Sequence, residues 1–173
     1  MKKILMISLV ATTVFSSLTC IAQDDKSKRP SPPATVSATT PSGNKITINY
    51  SQPSVKGRTI GTDIATYGKV WRTGANEATV FEITKDAKID GKYSLPAGKY
   101  GLYSIPGEKN WTIIFNKTWD QWGTKYTEAD DALRVVVTPE KSSSMTEQMT
   151  FKVNNDGKVV LMWGNTQVSF RVV

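Results

Sequence analysis

Residues 45–50 read KITINY, and this stretch decides the class of fold. Ile46, Ile48 and Tyr50 alternate with polar residues, so a strand formed here has one apolar and one polar face. The same period of two recurs in ATVFEIT, KYGLYSI, WTIIFNK, LRVVVT, MTFKV, KVVLMWG and TQVSFRVV, all rich in β-branched and aromatic residues. These segments predict strands that bury one face in a core.

The residues between these segments favour tight reversals. Asp90-Gly91 and Asp156-Gly157 are pairs of the kind that suit two-residue hairpins, in which both central residues have positive φ. Gly164-Asn165 predicts a similar reversal between the last two strands. One short helical turn at most is expected, within residues 117–132. About eight to ten short strands predict an all-β fold, an antiparallel β-sandwich of which the jelly roll is one arrangement.

Residues 1–22 have the pattern of a secretory signal peptide. Lys2 and Lys3 precede an apolar stretch over residues 4–15, which is too short for a membrane span. Small residues follow and predict cleavage after Ala22. Lipidation of Cys20 is the alternative form of processing. We therefore expect an exported protein, periplasmic or secreted, with lipid anchoring at Cys20 as the alternative.

Residues 23–43 contain many Pro, Ser, Thr and Lys residues and few large apolar ones. This composition predicts a flexible arm, because little apolar surface is available to offset the entropy lost on ordering. Residues 44–173 then form a single β-sandwich domain. No hydrophobic stretch after the signal peptide approaches membrane length, so no transmembrane span is predicted.

The composition excludes several kinds of chemistry. The chain has no histidine, and its one cysteine lies in the signal peptide. Histidine-based triads, Cys–His pairs and thiol or imidazole metal sites are therefore excluded, and no cofactor is predicted. Of the 22 Lys and Arg residues, two fall in the signal peptide, which leaves 20 against 15 Asp and Glu. Because the lysines are scattered, nucleic acid is not a predicted partner.

Residues 70–81, VWRTGANEATVF, place a cation, an amide and a carboxylate close together around Gly74. A loop at Gly74 would allow Glu77 to accept hydrogen bonds from the planar fork of Arg72, with Asn76 capping the turn. In one interpretation this ion pair braces the loop. In the other, Arg72 faces an anionic or hydroxyl-rich ligand, and Arg58 adds a second cation from a loop at the same end of the sandwich.

Residues 116–123, NKTWDQWG, are the second candidate. One helical turn would put Trp119 and Trp122 on the same side, and Asn116 and Asp120 flank them. Exposed indoles beside polar groups are typical of sugar binding, whereas buried indoles would close the end of the core. Glu77 and Asp120 are the one pair of carboxylates we nominate for glycoside hydrolysis, which needs two acids at a fixed separation.

The chain also resembles a known family through five stretches. They are YSQPSVKGR at residues 50–58, YGKVWRTGANEAT at 67–79, LPAGKYGLYSIPG at 95–107, WTIIFN at 111–116 and QWG at 121–123. These resemble the bacterial domain-of-unknown-function family number 2911. The resemblance implies secreted or envelope proteins of Bacteroidetes-like bacteria, and it implies no reaction.

Together these features predict a secreted or periplasmic, non-catalytic binding module for a polar small ligand or glycan. One alternative is a hydrolase-like enzyme that uses Glu77 and Asp120, and another is a structural or protein-interaction domain of the envelope. The partner is expected to be a glycan or an anionic small molecule, and the oligomeric state stays open. The predicted ligand-binding residues are Arg58, Arg72, Asn76, Glu77, Asn116, Trp119 and Trp122, with no catalytic or metal-binding residue.

Overall fold

The computed structural model describes residues 25–173, and the predicted signal peptide with Cys20 lies outside this range. Ten strands account for most of the ordered backbone. They are β1 (Pro33–Thr39), β2 (Lys45–Ser51), β3 (Thr79–Ile83), β4 (Ala87–Ile89), β5 (Tyr93–Leu95), β6 (Gly98–Ile105), β7 (Trp111–Asn116), β8 (Asp131–Val137), β9 (Glu140–Val153) and β10 (Lys158–Arg171). Two short 3₁₀ turns, Lys26–Lys28 and Glu128–Asp130, are the helical elements of the described part. The second confirms the helical turn expected within residues 117–132.

The strands form an antiparallel sandwich, as the alternating sequence predicts. One sheet has the order β1-β2-β3-β6-β7-β8, the long pair β9–β10 forms a second layer, and β4–β5 is a separate hairpin. Every pairing between these strands is antiparallel. Within the described residues, no helix is long and apolar enough to cross a membrane.

The core lies between the six-stranded sheet and β9–β10. Phe81 and Phe115 from the large sheet pack against Phe170 of β10, with ring centroids 5.1 to 5.9 Å apart. Tyr50 meets Phe151 edge-on at 5.0 Å, and its hydroxyl accepts a hydrogen bond from the Phe151 backbone N–H. Burying each such side chain contributes roughly 1.5–3 kcal/mol, so these contacts hold the two layers together.

The buried faces are those that the sequence pattern predicts. Ile46, Ile48 and Tyr50 are all buried, as are Val168 and Phe170 of β10 and Val172 just after it. Trp111 and Trp163 are also buried and belong to the core.

Strand β1 corrects the prediction of a flexible arm over residues 23–43. Val36 of β1 pairs with Ile48 of β2, Ala34 pairs with Tyr50, and both β1 residues pack against the core. The composition is misleading here because β1 contains only small residues and one valine, and this composition is also typical of flexible segments. An edge strand of small residues gains its order from backbone pairing with β2 and buries little side-chain surface of its own.

The three predicted reversals have different outcomes. Asp90 and Gly91 both have positive φ, at 52° and 68°, and turn β4 into β5 as expected. At the β9–β10 turn only Gly157 has positive φ, at 81°. Gly164 is not in a reversal, because β10 continues through it and the pairing with β9 shifts register on either side. The extra residues lie in β9, where residues 141–150 face residues 162–166 of β10, so the predicted last two strands are one.

Candidate functional site

The two candidate motifs meet in a short antiparallel ladder on the outer face of the large sheet. The backbone N–H of Ala78 donates to Gln121 O at 3.0 Å, and that of Gly123 donates to Asn76 O at 3.0 Å. Glu77 and Trp122 are the paired residues between these two bonds. The 76–78/121–123 ladder therefore brings together two stretches that are more than forty residues apart in the sequence.

The two sides of this ladder carry different chemistry. Glu77 and Trp122 form a non-hydrogen-bonded pair, so their side chains lie on the same side with Cα atoms about 4.5 Å apart. Their neighbours point the other way. The Gln121 side chain donates to the Tyr103 hydroxyl at 3.1 Å, and a Cβ added to Gly123 would overlap the side chain of Arg72. Arg72 and Glu77 therefore lie on opposite sides.

Glu77 is held by the segment that precedes β1. Its Oε1 lies 2.9 Å from Lys26 Nζ, and Arg29 Nη1 donates to both carboxylate oxygens at 3.0 and 3.1 Å. Partial burial acts to raise the pKa of Glu77, but the hydrogen bonds from Lys26 and Arg29 and the charge of Lys26 outweigh it and lower the pKa to about 2. Glu77 is therefore ionised at neutral pH.

Asn76 also binds the segment that precedes β1. Its φ is 59°, a left-handed conformation that asparagine tolerates better than most residues, and its Nδ2 donates to Ser31 O at 3.1 Å. A brace therefore exists, but the predicted partner was wrong. Glu77 and Asn76 fasten residues 26–31 to the sandwich, and they do not fasten Arg72.

The loop that carries Arg72 is fixed by buried hydrogen bonds. Trp71 exchanges two backbone bonds with Ser104 of β6, and Thr73 Oγ1 donates to Ser104 Oγ at 2.9 Å. Gly74 is required here for space and not for positive φ, since an added Cβ would lie 2.7 Å from Thr79 Oγ1. Thr73 and Asn76 are the residues with positive φ.

Arg72 lines a pocket of about 340 Å³ together with Val70, Trp71, Tyr103, Gly123, Thr124 and Tyr126. Its guanidinium forms no hydrogen bond or ion pair with any of residues 25–173, and the Nε atom is buried without an acceptor. None of the lining residues is acidic. The Arg72 pocket therefore contains a half-buried positive charge that the described protein does not neutralise.

Two phenols form a wall of the Arg72 pocket. The rings of Tyr103 and Tyr126 lie 5.0 Å apart. Tyr126 donates to Asp131 Oδ2 at 2.6 Å and accepts from Arg134 Nη2 at 2.9 Å. Burial and this hydrogen bond to Asp131 raise the pKa of Tyr126 to about 12, and burial also raises the pKa of Tyr103. Both phenols are neutral at physiological pH.

The predicted tryptophan pair does not close the core. Trp122 is 47% exposed, and Trp119 is half-buried with Lys99 Nζ 4.9 Å from its ring centroid. No helical turn connects them, because residues 119–122 lie in irregular backbone that crosses the outer face of the sheet. The indoles are therefore available at the surface, which the interpretation as core residues did not anticipate.

Two other predicted ligand residues make hydrogen bonds within the protein that stabilise the fold. Asn116 is fully buried; its Nδ2 donates to Thr127 O and Asp131 Oδ1, and its Oδ1 accepts from the Thr118 N–H. Arg58 donates to the carbonyls of Val55 and Ser54 in its own loop, and it makes no hydrogen bond to the Arg72 loop. Neither residue is part of the Arg72 pocket.

Glu77 and Asp120, the nominated pair of carboxylates, have different surroundings. Asp120 is exposed and its side chain makes no hydrogen bond or ion pair with the residues described. Glu77 has a pKa of about 2 and two cationic partners, so it does not carry the proton that a general acid must donate. Residues 25–173 contain no group of three or more acidic or cysteine side chains that could hold a metal ion.

A family model described as "Protein of unknown function (DUF2911)" matches residues 31–172. The chain belongs to this family. Neither a curated protein nor a solved structure matches it. The DUF2911 match covers the whole sandwich, including β1, and both strands of the 76–78/121–123 ladder.

Sequence reasoning missed several residues of the site in this DUF2911 protein. Tyr126 and Thr124 follow the tryptophan motif without a pattern of their own, and Lys26 and Arg29 lie in the stretch predicted to be flexible. Gly123 had a usable signal, since a glycine directly after an aromatic residue in a loop often marks a close approach of two backbones or side chains.

Proposed function

We propose that this DUF2911 protein is a non-catalytic binding module that takes a small organic anion in the Arg72 pocket. The observation that carries the proposal is the Arg72 guanidinium, which is half-buried and has no protein acceptor within the described residues. Burying an uncompensated charge costs several kcal/mol, and a bound carboxylate or phosphate would offset that cost.

The lining of the Arg72 pocket limits the class of anion. Val70, Trp71, Tyr103 and Tyr126 contribute mainly apolar and aromatic surface, and Thr124 adds an aliphatic hydroxyl. A ligand that pairs a carboxylate with a flat apolar body matches this surface, because the guanidinium fork binds a carboxylate through two parallel hydrogen bonds. The volume of about 340 Å³ is at the small end for ligand sites.

The absence of an acid–base pair around Arg72 favours binding over catalysis. Tyr103 and Tyr126 keep their protons at neutral pH, and no carboxylate lines the pocket to act as a base. The signal peptide predicted over residues 1–22 would place this binding outside the cytoplasm.

The experiment is calorimetric titration of the protein with benzoate, acetate, phosphate and sulfate. We expect benzoate to bind most tightly and to raise the melting temperature, because it adds apolar contact to the ion pair. Arg72→Lys should bind at least about tenfold more weakly, since a lysine keeps the charge and loses the fork. Arg58→Lys is the matched control and should bind as the parent does.

Two results would count against this function. One is that none of the four anions binds the parent protein at millimolar concentration. The other is that Arg72→Met binds them as tightly as the parent. Circular dichroism of the Arg72 variants shows whether they fold, and we expect them to, because Arg72 donates no hydrogen bond to the described residues.

A further inference from the structure

We infer that a second site, for a saccharide, lies on the other side of the 76–78/121–123 ladder, where Trp122 and Glu77 stand beside a groove in the outer face of the large sheet. The groove has a volume of about 230 Å³ and is lined by Lys26, Glu77 and Ala78 and by residues of β1, β2 and β3. Trp122 is not part of this lining; its pairing with Glu77 across the ladder places it at the rim. This site is separate from the Arg72 pocket and does not rest on the anion that we propose there.

Trp122 provides the apolar surface that sugar recognition needs. Its indole is 47% exposed, and it is the only tryptophan among the exposed large hydrophobic residues of the described chain. The ladder holds its backbone on both sides, through the hydrogen bonds of Gln121 and Gly123. A ring presented at a fixed position can cover the apolar face of a sugar with little loss of conformational entropy on binding.

The floor of the groove is a row of three outward-facing residues. The sheet register places Thr35 of β1 opposite Asn49 of β2, and Asn49 opposite Val80 of β3. The next position in this row is Gly101 of β6, where an added Cβ would lie 2.9 Å from Thr118 O. The chain that leads to Trp122 therefore passes directly over Gly101 and forms the wall at that end of the row.

Two polar side chains that line the groove have hydrogen-bonding capacity left for hydroxyls. Asn49 Oδ1 accepts from Thr35 Oγ1 at 2.7 Å, which leaves Asn49 Nδ2 as a donor with no partner in the described structure. Glu77 keeps lone pairs beyond those used by Lys26 and Arg29, and its side chain is 39% exposed. A hydroxyl both donates and accepts, so an amide N–H next to a carboxylate suits adjacent hydroxyls of one sugar ring.

The carboxylate paired with Trp122 favours hydroxyl recognition over anion binding at the indole. Glu77 is ionised and lies opposite Trp122 across the ladder. An incoming carboxylate or phosphate would therefore meet a like charge. The groove is smaller than a usual ligand pocket, which suits one sugar ring with the rest of the chain outside.

The test is calorimetric titration of the full folded chain with three neutral oligosaccharides, cellohexaose, mannohexaose and xylohexaose. We expect at least one to bind and to shift the tryptophan fluorescence. Trp122→Ala should weaken that binding by about tenfold or more, and Asn49→Ala should weaken it less. Trp119→Ala is the comparison variant and should weaken binding less than Trp122→Ala, because the Trp119 ring is already in contact with Lys99.

The saccharide site is rejected if no hexasaccharide binds the parent, or if Trp122→Ala binds as tightly as Trp119→Ala. Since Trp122 is exposed, its alanine variant should unfold at the same temperature as the parent, and Trp122→Tyr should recover part of the affinity. Arg72→Lys separates the two proposals, because it should weaken benzoate binding by about tenfold or more and leave the saccharide affinity unchanged.

Discussion

Gly123 lies directly against the side chain of Arg72, on the side of the 76–78/121–123 ladder that faces away from Glu77. An added Cβ at residue 123 would overlap Cδ of Arg72, approach its Cβ to 3.0 Å and lie 2.9 Å from Asn76 O. The glycine thus sets both the course of the loop and the position of the guanidinium. The φ of Gly123 is not positive, so the constraint is space and not backbone conformation.

Gly123→Ala should therefore destabilise the protein by about 1–3 kcal/mol, the usual range for overpacking at a tight contact. It should also weaken benzoate binding, because the guanidinium has to move. Urea denaturation measures the first effect and calorimetry the second. The double variant with Arg72→Ala provides the control: it removes Cδ, so the loss of stability should be smaller than the sum of the two single changes. If the losses of stability from the two single changes are additive, the added Cβ at residue 123 does not clash with Arg72.

Glu77→Gln should lower the free energy of unfolding at pH 7 by about 1 kcal/mol or less, because the ion pairs with Lys26 and Arg29 are partly exposed and screened. The pKa of Glu77 in the folded protein, about 2, is below its ordinary value of 4.5. Its contribution is therefore complete above about pH 4.5 and is lost as the pH falls towards 2. Unfolding curves at several pH values should show the parent and variant converging over that window. A constant difference down to pH 2 would contradict the assignment.

Asn116→Ala should cost about 2–4 kcal/mol, because it leaves Thr127 O, Asp131 Oδ1 and the Thr118 N–H without their buried partner. Thermal unfolding measures this loss. Asp120→Ala is a matched control four residues away, and its exposed side chain should change the stability by less than about 0.5 kcal/mol. Equal melting temperatures for Asn116→Ala and the parent would contradict the structural role of Asn116.

Truncation at the N-terminus should give a graded result. A chain that begins at Pro33 keeps β1 and loses Lys26 and Arg29, so we expect a loss of about 1 kcal/mol or less relative to a chain that begins at Asp25. A chain that begins at Asn44 also loses β1, which uncovers the edge of β2. We expect this chain to lose roughly 2–4 kcal/mol and to aggregate more readily. Equal stability of all three chains would restore the prediction of a dispensable arm.

Much of the fold could be predicted because strand formation leaves a local signal. In β2, Ile46 and Ile48 both face the core because they are two residues apart, and successive side chains of a strand point to opposite faces. Asp90-Gly91 is equally local, since both residues have to accept positive φ. Gly164 misled the prediction because a glycine marks either a turn or a bulge, and the length of the partner strand decides between them.

The candidate site could be predicted only in part. The two motifs that form it, around Arg72 and around Trp122, are visible in the sequence, but their relative position is not. Glu77 and Arg29 are 48 residues apart, and the sequence offers Arg72 as a much closer cation. Proximity along the chain is a poor guide here, because residues on opposite sides of a ladder do not meet however near they are in sequence.

The sequence by itself determined the antiparallel sandwich, the buried faces and the exclusion of histidine chemistry throughout and of cysteine chemistry after residue 20, since these follow from residue type and a period of two. Only the tertiary structure decided that Glu77 pairs with Lys26 and Arg29 while Arg72 is left without an acceptor among the described residues. The physical reason is the pairing of residues 76–78 with 121–123. That pairing assigns each side chain to one side of the ladder, and it depends on contacts between distant segments that no local pattern encodes.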